Sequence, residues 1–284
     1  MGKRMKKTSV IVAASIGLCL VGFFKSGVHD MPEIRFDMGK NIHETAKNSG
    51  APKYSTRNIE GYISYSIVNL APEVIVTYVR PGYAFTAVPL FAFTLYADKE
   101  MDSKLGVETA ALQYNTDTIS SHETARIFIE NLISQFQKGN WKRYLRDSCP
   151  AVTGRSAFVN ESGERERIGF CPLDPACRLT PEEWIAMMGD TQKYQWLGDG
   201  VLASLTISYS NDSRGITYSI ELELDDFAIK TRREEEQQMK DLAEGDAGGW
   251  NSTEDYKKGM LARQLRIRAW EEAARRRGDT VLRR

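Results

Sequence analysis

Hydrophobic and polar positions change their rhythm five times along the chain. The first regime is a charge-free run, Thr8–Phe24 (TSVIVAASIGLCLVGFF), directly after the basic cluster Lys3, Arg4, Lys6 and Lys7. As a helix this run would be about 25 Å long, near the lower limit for crossing the hydrocarbon core of a bilayer. From residue 25 to 58 the pattern is polar and irregular, and we read it as a spacer. From Gly61 the segments GYISYSIVNL, VIVTYVR and AFTAVPLFAFTLYA are rich in β-branched and aromatic residues and are split by Pro72, Pro81-Gly82 and Pro89. They predict three or four strands, with Pro89 as a strand break.

A helical period takes over next. Residues 105–114 (LGVETAALQY) fit either a strand or a helix. Ser120 with Glu123 three residues on resembles a capping box. Ala125, Phe128, Ile129, Leu132, Ile133 and Phe136 then recur at helical spacing up to Gly139, which predicts an amphipathic helix lying on the sheet. A second start signal is Thr180-Pro181-Glu182-Glu183, opening a short helix through Trp184 and Met188. Residues 200–209 and 215–227 alternate with a period of two around SNDSRG and form the clearest hairpin signal in the chain. Beyond Phe227 the sequence is charged and helix-prone, is broken at EGDAGG, and resumes as a last helix from about Ser252 to Arg277. Strands, helix, hairpin, helices: this order predicts an α+β fold with an antiparallel sheet packed by amphipathic helices and preceded by one N-terminal transmembrane helix.

The domain reading follows: 1–7 a cytoplasmic basic tail, 8–24 the anchor, 25–58 the spacer, 59–227 an α+β periplasmic domain, and 228–284 a charged helical region. Basic residues before the apolar run place the N-terminus inside and the rest outside a bacterial inner membrane, single-pass. A cleaved signal peptide is the main competitor, and a buried soluble helix is another. Cleavage wants small residues at −3 and −1, whereas the available pairs are Leu20 with Gly22, Val21 with Phe23, or Lys25 with Gly27. We therefore read an uncleaved anchor.

Charge and cysteines sharpen this picture. Lys+Arg and Asp+Glu number 38 each, so the whole chain makes no electrostatic case for nucleic acid. The balance is uneven, however: residues 251–284 carry a clear excess of Lys and Arg. Cys19 lies in the anchor, leaving Cys149, Cys171 and Cys177 in the exported part, where an oxidising compartment permits a disulfide. Cys149 and Cys171 each precede a proline and bracket a loop with Gly154 and Gly163; we favour that pair. Cys171 with Cys177 is the alternative.

Candidate chemistry is sparse. No Gly-x-Ser-x-Gly is present, and the nearest fragment, Gly154-Arg155-Ser156, lacks the second glycine. There is no His-Glu-x-x-His, no phosphate loop, and the spacing of Cys171 and Cys177 suits neither zinc nor a redox Cys-x-x-Cys. His122 reads as an exposed histidine at a helix start. Glu221, Glu223 and Asp225 share one strand face, as a solvated face does. We assign no catalytic residue, no metal and no cofactor. Trp184, Tyr194 and Trp196 cluster around the second cap and the turn before the hairpin. They are the candidate partner-binding residues, because aromatics anchor protein interfaces.

The combination SHETARIFIENLISQFQKGNWKRY, CPAVTGR, LTPEEW, the hairpin, EGDAGGWNS and RRRGDTV resembles bacterial envelope proteins encoded near type VI secretion lipase effectors. That resemblance covers about the C-terminal 160 residues of the chain. It implies an immunity partner: exported, membrane-anchored, and inhibiting a secreted lipase-type toxin by direct binding, with no turnover of its own. A bitopic component or accessory factor of an envelope secretion machine is the alternative, and an enzyme with an unrecognised site is a third class.

Overall fold

A computed structural model describes residues 32–164, 171–187, 191–213, 215–248 and 253–283. The tail 1–7, the apolar run 8–24, the first part of the spacer, Met188 at the read end of the short helix and Ser252 at the read start of the last one lie outside the described residues. Among the described residues no helix is long and apolar enough to cross a membrane.

The fold is α+β, built on an eight-stranded antiparallel sheet. In chain order the elements are β1 (Glu33–Phe36), α1 (Ile42–Asn48), β2 (Ser55–Ile59), β3 (Tyr62–Val68), β4 (Ile75–Tyr78), β5 (Phe85–Ala87), β6 (Leu90–Asp98) and β7 (Thr109–Tyr114). Then come α2 (His122–Lys138), β8 (Lys142–Arg143), α3 (Pro181–Met187), β9 (Gln192–Gly198), β10 (Val201–Asp212), β11 (Gly215–Asp226), α4 (Phe227–Gly248) and α5 (Thr253–Arg276). The large sheet runs β2-β3-β6-β7-β11-β10-β9-β8, and a small sheet β1-β4-β5 contains the parallel pair β1–β4.

Strand alternation decides where the core sits. Phe93 and Leu95 of β6, Ala110 and Leu112 of β7, Ile220, Leu222 and Leu224 of β11, and Ala203, Leu205 and Ile207 of β10 are all buried in one cluster. α2 adds Ala125, Ile129, Leu132, Ile133 and Phe136 to it, as its helical period predicts. Its cap lies one residue later than expected: Ser121, not Ser120, accepts from the Thr124 amide, and Thr124 accepts from the Ser121 amide. The Thr180 cap forms as read, Glu183 and Thr180 each accepting from the other's amide.

Three expectations need correcting. The described part of the spacer is folded, because its few apolar side chains are spaced to enter the core. Ile34 and Phe36 alternate inward along β1, Met38 and Ile42 follow, and Phe36 packs against Phe93 at 5.1 Å between ring centres. Residues 31–284 form one compact unit, so the boundaries at 58/59 and 227/228 separate no independent bodies. The segment before the hairpin is not a turn but strand β9, joined to β10 by Asp199-Gly200. Both of those residues have positive φ (48° and 74°), as the tight two-residue hairpin turn requires. α4 ends at Gly248, inside the EGDAGG segment read as its break.

The disulfide joins Cys149 to Cys171, and Cys177 is free. Within the loop so closed, Val152 meets Trp270 and Ala274 of α5 in a second, smaller core. The Trp270 indole N–H donates to the Ser156 carbonyl at 2.9 Å, and Glu271 accepts from the Ala151 amide at 2.8 Å.

Candidate functional site

The sequence candidates are placed plainly by burial. Trp184, Tyr194 and Trp196 are 2, 3 and 2% exposed. Trp196 stacks on Phe136 with ring centres 4.3 Å apart, and Tyr194 lies beside it on β9. The three aromatics belong to the core and offer no contact surface. This corrects the reading of them as interface anchors: helix α3, against α2, and strand β9 turn these large apolar groups inward, where they pack in the core. A cavity of about 200 Å³ beneath α2 touches Trp184, Tyr194 and Cys177, and burial pushes the Cys177 thiol up. His122 is half-buried rather than exposed: its Nδ1 lies 2.5 Å from the Tyr218 hydroxyl and its ring meets Tyr209 edge-on.

Polar groups gather instead where α4 turns back over the sheet. β11 carries Glu221, Glu223 and Asp225 on the face opposite the core, and register places Thr109 of β7 beside Asp225. Only Glu221 is solvated as expected. α4 begins immediately after β11, and one turn later Lys230 Nζ reaches Asp225 at 2.6 Å and Glu223 at 3.2 Å. Thr109 donates its hydroxyl to Asp225 at 3.0 Å. Burial pushes the Asp225 carboxyl up to about 6, the neighbouring Glu223 carboxylate adds to this, and Lys230 opposes it. For Glu223, burial is outweighed by Lys230, and its carboxyl is held below the usual range.

Glu108, at the foot of β7, is the more unusual group. It is 2% exposed, yet it carries a carboxylate. Arg233 of α4 donates to its Oε1 at 3.0 Å and also pairs with Asp98 at 3.3 Å. Its Oε2 is buried with no hydrogen-bond partner among the described residues. Burial pushes this carboxyl up, against the pull of Arg233.

These groups line one groove of about 630 Å³ between the strand ends, α4 and the start of α5. Five carboxylates and three cations face it, with Ile229, Leu242 and Tyr256 as its less polar wall. Each cation is held within the protein: Lys230 and Arg233 as above, and Arg146 by Glu234 at 3.0 Å. No group of three or more His, Cys, Asp or Glu among the described residues could hold a metal ion.

α4 and α5 also present a long exposed surface, part of which lines the groove. Every residue from Arg232 to Asp241 is exposed, and Gly245 is the buried residue of α4. Met239, Leu261 and Leu265 are 68, 58 and 57% exposed. The sequence marked this region as charged helix whose basic end could touch acidic partners or anionic lipid head groups, or simply be solvated. Neither the exposure of the pair nor the burial of Glu108 shows in a periodicity. Compared with known protein families, curated proteins and solved structures, the chain matches none.

Proposed function

We propose that this protein is a membrane-anchored periplasmic binding protein that inhibits a secreted lipase-type toxin by direct contact. The observation that carries a binding role is the α4–α5 pair. Helices in proteins draw most of their stability from packing an apolar face. A helix that is polar nearly all round is held by charge pairs or bridges to another body. α4 buries almost nothing over 22 residues, and the pair exposes Met239, Leu261 and Leu265 among its charges. Met is enriched in protein interfaces, whose buried centres are apolar within a polar rim.

Two further features support the setting. The Cys149–Cys171 disulfide fits an oxidising compartment such as the periplasm. The basic cluster and apolar run at the N-terminus fit a tether that keeps the domain at the bilayer, the surface a lipase must reach. An inhibitor waiting there would block the toxin's active site or its membrane-docking face.

The test is a binding measurement with a periplasm-directed lipase effector encoded beside the gene. Wild-type protein is expected to bind it and abolish lipid hydrolysis. Leu261→Asp together with Leu265→Asp should weaken both while leaving the melting temperature unchanged. Undisturbed inhibition by that double variant removes the arm from the account. No binding at all by the wild type, with copurification of other membrane subunits instead, moves the secretion-machine alternative ahead.

A further inference from the structure

The groove under α4 has a chemistry the inhibitor reading does not use. Its three cations are already spoken for by carboxylates at 2.6 to 3.3 Å, so an anionic ligand would have to break existing ion pairs. Acceptors, by contrast, are left over. Glu108 keeps a buried carboxylate oxygen without a partner, and a buried acceptor left unmatched is costly. Asp241, on the groove wall, accepts from Gln237 and carries its own charge toward the same space. Beside them stand Ile229 and Leu242, which can pack an alkyl chain, and the Tyr256 ring. A calcium ion would demand six to eight oxygens, and no such set is assembled among the described residues.

We propose that the groove binds an ammonium or guanidinium group carried on an alkyl stem, with Oε2 of Glu108 as its anchor. A planar guanidinium or a three-donor ammonium satisfies that oxygen with a charge-assisted hydrogen bond. The stem then lies along Ile229 and Leu242, and a volume of about 630 Å³ is ample for a group of this size. The same chemistry has two sources: a free alkylamine, or an Arg or Lys side chain presented by a protein. The inference goes beyond the inhibitor reading and does not need it, because a small cation would bind whether or not a toxin does.

Calorimetry on the purified full chain tests this with four kinds of probe. Agmatine and cadaverine stand for free cations, acetyl-Gly-Arg-Gly-amide for a side chain on a polypeptide, and calcium chloride and inorganic phosphate for the rival chemistries. Saturable binding of at least one organic cation is expected, weakened about tenfold or more by Glu108→Gln. Binding by the free amines assigns the site to a small molecule; binding by the peptide alone assigns it to a partner's side chain. Should the variant fail to fold, the pH profile of the wild type decides. Arg233 of α4, Asp98 of β6, Asp226 of β11 and Tyr62 of β3 face Glu108, and burial pushes the Glu108 carboxyl up, so acidification protonates it earlier than an ordinary glutamate. Affinity for the cation must therefore fall as the pH drops from about 7.5 to about 5. Three results overturn the proposal: no saturable binding of any organic cation up to about 10 mM, binding that is indifferent both to Glu108→Gln and to pH, or binding of phosphate or calcium in place of the cations.

Discussion

Replacing Trp270 by alanine should unfasten the helical arm without dissolving the sheet. Trp270 is fully buried, and it packs with Val152 and Ala274 in a cluster separate from the main core. A buried tryptophan removes about 150–250 Å² from water, which at ~25 cal/mol per Å² is about 4–6 kcal/mol. That agrees with the ~3–5 kcal/mol usual for Trp→Ala in a core. The indole hydrogen bond to Ser156 adds about 1 kcal/mol, since the carbonyl would lose its partner. Besides the smaller buried side chains Ile267 and Ala273, what remains is a set of polar fastenings, among them Glu271 to the Ala151 amide, Arg263 to the Ser148 carbonyl, Thr153 to Thr280, and Leu282 to the Ala151 carbonyl. Each contributes about 1 kcal/mol, too little to hold a charged helix alone. Hydrogen exchange with mass spectrometry on the full chain reads the outcome directly. Amides of α5 and of residues 151–158 should lose protection by about a hundredfold or more, while those of β6, β7, β10 and β11 keep theirs. Unchanged protection in α5 would refute the reasoning, and so would an equal loss across the sheet, because then the second core is not separate.

The other expected outcomes concern the disulfide, the buried aromatics and pH. Reduction, or Cys149→Ser with Cys171→Ser, opens a loop with a sequence separation of 22. The loop-entropy account puts the loss at about 3 kcal/mol; equal melting of the oxidised and reduced forms would count against it. Trp196→Ala should cost about 3–5 kcal/mol in urea unfolding, because the ring is stacked on Phe136. A natively stable Trp196→Ala protein that had lost only partner binding would contradict its place in the core. Asp225 titrates near 6 when folded against its ordinary 3.8, so the folded state holds more protons than the unfolded one between those values. Its contribution to stability is therefore present at low pH and lost as the pH rises from about 4 to about 6, on the order of 1–3 kcal/mol. Relative to wild type, Asp225→Asn should lack that slope, and parallel stability curves for the two would show that the carboxyl is not shifted. Cys177, half-buried and with its thiol pushed up, should react with iodoacetamide at pH 7.5 far more slowly than a free cysteine does.

How far the sequence carried the fold depends on whether local rules or packing decided each element. The β10–β11 hairpin and α2 were legible because period-two and helical spacing run without interruption there, and the core takes those same residues. The Cys149–Cys171 bridge was legible from two cysteines at the ends of one glycine-containing loop. β9 was missed although Asp199-Gly200 is a strong hairpin signal, because the reading began the strand at Gly200 and treated the residues before it as a turn. β1 and α1 were missed because four apolar side chains among many polar ones make a weak pattern, and only the sheet they dock on makes them core. The aromatic trio was misplaced for a related reason: sequence shows that Trp184, Tyr194 and Trp196 are near one another but not which way α3 and β9 turn them. The groove was invisible. Glu221, Glu223 and Asp225 do alternate as a solvated face would, and only the return of α4, bringing Lys230 and Arg233, buries Asp225 and closes over Glu108.

Cell survival under attack tests the central claim, protection by a tethered binder, most directly. Cells lacking the gene would receive the neighbouring lipase-type effector directed to the periplasm, and viability would be counted with the wild-type chain restored, with Leu261→Asp/Leu265→Asp restored, or with nothing. The account predicts death without the gene, rescue by the wild type, and loss of rescue by the folded double variant. Full survival of the deletion strain, with no complex between the effector and the purified chain, would contradict it.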